Sequence, residues 1–132
     1  MVNEGAIVVD ANNVRGARPD GWWRDRTAAM RRLHARLACY QRHTGRVVVL
    51  VLDEPQADLA EGEHDGVTVL HARRRGRDAA DDRIREYLDA HAGDPLEVIT
   101  SDRALADDAA AQANVSVTGA GAFLARMDES GC

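Results

Sequence analysis

Three aspartates stand at the ends of apolar runs. Ala6-Ile7-Val8-Val9 stops on Asp10, Val47-Val48-Val49-Leu50-Val51-Leu52 stops on Asp53, and Leu96-Glu97-Val98-Ile99-Thr100-Ser101 leads into Asp102. A fourth, Asp81, follows another apolar stretch (Val67 to His71) within Asp78-Ala79-Ala80-Asp81-Asp82-Arg83-Ile84. Short runs rich in Ile and Val fit strands buried on both faces, which belong to parallel sheets. Ligands of open parallel sheets bind beyond the carboxyl ends of the strands. All four carboxylates are therefore expected on one edge, around one cleft. Crowded unpaired carboxylates repel one another and hold some of their number protonated. A hard divalent cation bound through oxygen, Mg²⁺ or Mn²⁺, resolves that repulsion and can drive in-line displacement at phosphorus. No His or Cys lies at metal spacing from them, which argues against zinc. Each acid alone has an ordinary role in a turn or cap, and Asp78, Asp81 and Asp82 suit a helix start. The joint pattern carries the metal reading.

The elements that must position these acids follow from periodicity. Apolar residues at Met30, Leu33, Leu37 and Tyr40 predict an amphipathic helix from about Arg24 to His43, ended by Gly45. Trp23, Thr27 and Met30 share its spacing, so Trp23 is expected to close the helix end onto the core. Trp22 is left as a candidate stacking platform for a nucleobase. Asn12 to Asp25 and Glu54 to Gly66 are expected to be polar loops. A helix capped by Asp78 buries Ile84, Tyr87, Leu88 and His91. Another runs from about Arg103 to Ala113, and a last one presents Phe123, Leu124 and Met127. Five strands alternating with helices predict a three-layer α/β/α sandwich around a mostly parallel sheet, Rossmann-like in type. Residues 1–128 form the expected domain and residues 129–132 a frayed tail.

Composition narrows the class. A chain of 132 residues suffices for one domain that buries about two-thirds of its unfolded surface. No apolar run approaches the ~18 residues of a membrane span, and Met1-Val2-Asn3-Glu4 lacks the basic start of a signal peptide. Cys39 and Cys132 are too few and too distant in sequence to read as a disulfide framework, so reduced thiols and a cytoplasmic location are expected. The net charge of −5 argues against general coating of nucleic acid. All 17 basic residues are Arg, and Arg73-Arg74-Arg75-Gly76-Arg77 form one run directly before Asp81. That run is placed to hold a phosphodiester backbone.

The set Ile7-Val8-Val9-Asp10, Asn13-Val14, Val51-Leu52-Asp53, Ala80-Asp81-Asp82-Arg83-Ile84 and Ile99-Thr100-Ser101-Asp102-Arg103 resembles the NYN domains. The similarity is to the YacP-like branch of the PIN-like nuclease superfamily, from about Gly5 to Met127. The resemblance implies a metal-dependent endoribonuclease whose metal-site acids fall on Asp10, Asp53, Asp81 and Asp102, with Asp10, Asp81 and Asp102 central to catalysis. It places an orienting amide at Asn13 and supporting positions at Asp82 and Ser101. Ala11 stands where the family usually has Gly, and Glu54 adds an acid beside Asp53. The expected partner is single-stranded or flexible RNA, gripped by Arg73, Arg74, Arg75, Arg77 and Trp22, with the ribosome a further candidate partner. Oligomeric state is left open. The rival readings are a non-catalytic RNA-binding or ribosome-associated module of the same fold, and a DNA-flap nuclease. A receiver-type domain is a further rival, but it needs a Lys near its phosphorylated Asp, and this chain has none.

Overall fold

The structure, a computed structural model, describes residues 5–132; the Met1-Val2-Asn3-Glu4 segment lies outside them. The apolar runs form β1 (Ala6–Asp10), β2 (Val48–Leu52), β4 (Val67–His71), β5 (Leu96–Ile99) and β6 (Val115–Thr118), with a short β3 (Gly62–His64). They make one sheet in the order β3-β4-β2-β1-β5-β6. Every pairing is parallel except that of β3 with β4. The helices are α1 (Ala11–Arg15), α2 (Arg26–Thr44), α3 (Ala79–Ala90), α4 (Arg103–Ala110) and α5 (Ala120–Glu129). The mostly parallel three-layer α/β architecture expected from the sequence is thus observed.

Strand alternation divides the core in two. Ile7, Val9, Leu50 and Leu52 pack with Val14 of α1, Leu33 and Leu37 of α2, and Phe123 and Met127 of α5. Val8, Val49 and Val51 pack with Ile84 and Leu88 of α3 and Leu105 and Ala109 of α4. Asp10 has the parity of Val8, and Asp53 that of Val49 and Val51. Both are therefore directed to the layer that contains α3 and α4. The helix α2 ends where Gly45 adopts a left-handed conformation (φ 71°) and returns its N–H to the Gln41 carbonyl.

Several expectations are corrected. The segment after Asp10 is not all loop: it begins with α1 and contains a single helical turn at Trp22–Arg24. Val14 supplies the apolar anchor, and one such residue is too little periodic signal to reveal a five-residue helix. Glu54 to Gly66 is not simply exposed either. Leu59 is buried, and β3 pairs antiparallel along β4, an edge position where polar residues are tolerated. Trp23 does not close α2 onto the core; it is 49% exposed.

The cysteines are not reduced thiols. Cys39 on α2 and Cys132 are joined by a disulfide (Cα–Cα 5.6 Å), because α5 packs its chain end beside α2 despite a separation of 93 residues. For the same reason the C-terminus is not frayed. The Cys132 N–H bonds the Met127 carbonyl, and Arg36 Nε donates to the Cys132 carbonyl at 2.9 Å. Among the described residues, no helix is long and apolar enough to cross a membrane.

Candidate metal centre

Asp10 is the last residue of β1 and is 5% exposed. Thr100, just past β5, donates from its hydroxyl to Asp10 Oδ2 (2.9 Å) and accepts from the Asp102 N–H (3.1 Å). One buried hydroxyl thereby ties two strand-end acids together. Asp102 begins α4, its Oδ1 accepting from the Leu105 N–H. Asp81 lies in the first turn of α3 and is buried. The N-termini of α3 and α4 thus open toward this edge, where their dipoles favour negative charge.

Asp78 was expected only to cap α3. It occupies the N-cap position, but its side chain makes no capping bond, and its backbone is left-handed (φ 58°). A non-glycine residue in that region costs about 1–2 kcal/mol, although Asp tolerates it better than most. Its carboxylate instead joins those of Asp81 and Asp102, with one oxygen of each lying within 4.8 Å of the others. A signal for it exists in the sequence: Asp78 and Asp81 are three apart at a helix start, and residues so spaced share a face. Asp53 is turned differently, its Oδ1 accepting from the Ala80 N–H at 2.9 Å.

These groups share one electrostatic field. Burial lifts the Asp10 pKa from 3.8 to about 7; the Thr100 hydrogen bond opposes this, and Asp81, Asp53 and Asp102 add to it. Burial, then Asp102 and Asp78, lifts Asp81 to about 6. Burial raises Asp53 as well, against the Ala80 hydrogen bond. Glu97 on β5 is the instructive contrast. It too is buried, which by itself raises its pKa, yet hydrogen bonds from Arg126, Thr118 and Arg46 hold it at about 2. Here the cost of burying a carboxylate is offset by two guanidiniums, those of Arg46 and Arg126. Among the described residues, Asp10, Asp53, Asp81 and Asp102 have no ion pair, and Asp78 has only a 4.0 Å approach from Arg77. An all-oxygen set of mutually repelling acids fits a hard divalent cation.

The other expected residues fall as follows. Asn13 Oδ1 accepts from the Ser101 N–H (2.7 Å), and Ser101 Oγ accepts from the Ala120 N–H (2.9 Å), so both hold the turn that carries Asp102. Asp82 points away, paired with Arg74 (2.9 Å) and Arg85 (3.5 Å). In the Arg loop, Arg73 is bound through two nitrogens to Glu86, and Arg74 also donates to the carbonyls of Arg77 and Asp78. Arg75 and Arg77 leave their guanidiniums unbonded among the described residues, apart from the 4.0 Å approach of Arg77 to Asp78. The Trp22 ring lies under the guanidiniums of Arg15 and Arg26, 5.1 and 5.8 Å from its centroid. Thr100, Asp78 and Arg15 are the residues that strand-end reasoning overlooked.

No family model and no curated protein matches the chain. Among solved structures it is similar to Rae1 (YacP) from Bacillus subtilis. A point mutant of Rae1 superposes with a TM-score of 0.75 at 23% identity, over 96% of this chain and 76% of that one. A second Rae1 structure gives a TM-score of 0.71 at 23% identity, over 95% and 74%. The likeness to the YacP-like branch expected from the sequence is therefore met in the fold: this chain has the α/β fold of Rae1 (YacP), with a group of aspartates at the carboxyl edge of its sheet.

Proposed function

We propose that the protein is a metal-dependent endoribonuclease. The observation that carries the reading is the group of acids at the strand ends and the start of α3, with Asp10 and Asp81 buried and without an ion pair among the described residues. Asp10, Asp81 and Asp102 would hold Mg²⁺ or Mn²⁺, joined by Asp78, with Asp53 at the rim. When bound, such a cation supplies an activated water and neutralises charge on the scissile phosphate. Thr100 fixes Asp10, and Asn13 with Ser101 fixes the turn of Asp102, so the acids are presented in one arrangement. Asp10 and Asp81 must release protons as the cation enters, so affinity for it should fall on acidification. Arg75 and Arg77 face solvent beside the cleft and would steer the strand, while Arg73 and Arg74 shape the loop that carries them.

The proposed partner is an RNA strand, single-stranded or flexible because the grip is small, with ribosomal presentation included in the proposal. An RNA substrate suits a cytoplasmic setting, whereas the Cys39–Cys132 bond is typical of oxidising compartments; titration with reductant bears on both.

Purified protein incubated with mixed RNA should yield fragments only when Mn²⁺ or Mg²⁺ is present. Asp10→Asn and Asp81→Asn should each reduce the rate at least 100-fold, within the several kcal/mol that such a cation supplies to the transition state. RNA that stays intact while bound, with metal present, would instead make this a non-catalytic RNA module.

Asp102 offers a sharper check, because it both caps α4 and faces the other acids. Asparagine caps as well as aspartate. Asp102→Asn should therefore leave the metal-free melting temperature unchanged or raised and abolish the metal-induced rise. Asp102→Ala should cost about 1 kcal/mol through the missing cap. A metal-induced rise that persists in Asp102→Asn would reduce Asp102 to a structural cap.

A further inference from the structure

Against Glu54 and Pro55, on the α1–α2 side of the sheet, lies a cleft of about 490 Å³. Asn12 and Arg15 of α1, Arg26 and Arg31 of α2, and Glu54 and Asp58 of the β2–β3 connection line it. The cleft meets the acid group at the Asp53 rim, where Asp53 and Glu54 both attract the Arg15 guanidinium. Its charges are not balanced. Asp58 is engaged by Arg31 (3.0 Å) and Gln56 (2.8 Å). Arg15 and Arg26 have no carboxylate within ion-pair distance among the described residues, which leaves Glu54 opposite two free guanidiniums. Both guanidiniums lie within 5.8 Å of the Trp22 ring centroid. Arg15 is half-buried, its Nε fully enclosed with no hydrogen-bond partner. Burial and then the neighbouring Arg26 work against its charge, and the attraction of Asp53 and Glu54 offsets them only in part.

Two like charges held on one ring, one of them missing a hydrogen bond, are the cationic mirror image of the aspartate group. An arginine fork matches phosphate oxygens in geometry and charge. A phosphate seated here would receive donors from both residues and remove their mutual repulsion. The aromatic ring already serves to orient the two cations, so Trp22 acts through them rather than by stacking on a base.

We propose that the Arg15–Arg26 cleft is a second phosphate subsite, which holds a phosphodiester of the RNA strand next to the one placed at the metal centre. This rests on the ribonuclease reading for its substrate, but its test does not depend on cleavage. Binding of a fluorescein-labelled single-stranded RNA is measured in EDTA over a range of salt concentrations. The slope of log affinity against log salt becomes shallower by about 0.7 for each single-strand phosphate that is no longer neutralised. Arg15→Met, which keeps the aliphatic stem, and the exposed Arg26→Ala should each make the slope shallower by about that amount and weaken binding several-fold. Arg42→Ala, an equal charge change in the last turn of α2, should change neither. Slopes equal to wild type for both Arg15→Met and Arg26→Ala would overturn the subsite. If Mn²⁺-dependent cleavage persists beside that result, the nuclease reading survives alone. If the slopes become shallower while RNA is never cut, the subsite stands and the nuclease reading fails.

Discussion

Stripped of divalent cations, the protein should become less stable as the pH rises from 5 to 8, opposite to a protein whose carboxylates are paired. The sign follows from linkage. Asp10 has a folded pKa of about 7 against an ordinary 3.8, so between those values the folded state binds the extra proton. Stability from that proton is fully present below the unfolded value and is lost as pH climbs through 7. Asp81, at about 6, and Asp53, also raised, act in the same direction. Glu97 acts oppositely, but it is held at about 2 and its contribution changes below pH 5, outside this window. For Asp10, which is buried, the displacement corresponds to on the order of 4 kcal/mol in all, of which about 3 kcal/mol falls between pH 5 and 8. At roughly 3–4 °C per kcal/mol for a chain of this size, the melting temperature should drop by about 10 °C across the window. Mn²⁺ should reverse the trend, because it binds only the deprotonated acids. A hundredfold excess over its Kd adds about 2.7 kcal/mol, and that increment should shrink toward pH 5. Thermal melts at several pH values, with EDTA and with Mn²⁺, test this directly. Asp10→Asn should flatten the EDTA curve. A wild-type EDTA curve that is level or rising would mean the acids are compensated in solution, and the metal centre would lose its physical basis.

Reduction of the Cys39–Cys132 bond should be the largest single loss of stability. The bond closes a loop of 93 residues, for which the chain-entropy account gives about 4–5 kcal/mol and measured cases run about 2–4. Cys132→Ser, Cys39→Ala or a strong reductant should each lower the melting temperature by about 8–15 °C. The double variant should add nothing to either single one, since one bond is removed in every case. Amide exchange should rise first around Ser130 to Cys132, which the bond to α2 and the Arg36 hydrogen bond hold in place. The start of α5 should be unaffected, because Ser101 accepts from the Ala120 N–H there. The metal-induced rise in melting temperature should therefore survive reduction. An unchanged melting temperature in reductant would show that the loop entropy is already absorbed by packing of α5 against α2. Such a protein would be as much at home in a reducing cytoplasm as outside it.

The sequence determined at which edge of the sheet the strand-end acids gather. Parallel strands share one polarity, so any residue that ends such a strand must lie at the common rim; Asp10, Asp53 and Asp102 could be placed by that rule alone. The alternation of β1 even fixed the layer, since Asp10 must follow Val8 toward α3 and α4. Tertiary structure decided how each charge is matched. Arg73 and Arg74, the most conspicuous basic residues in the chain, turn out to be engaged by Glu86 and Asp82, whereas the inconspicuous Arg15 and Arg26 are left without carboxylate partners among the described residues. The left-handed backbone of Asp78 sends its carboxylate into the acid group instead of onto its own helix. Cys39 met Cys132 only because two distant helices share one face of the sheet. Strand ends obey a rule that is local and repeats along the chain. The pairing of side chains depends on which elements become neighbours in space, and the order of residues along the chain does not encode that in any pattern of short period.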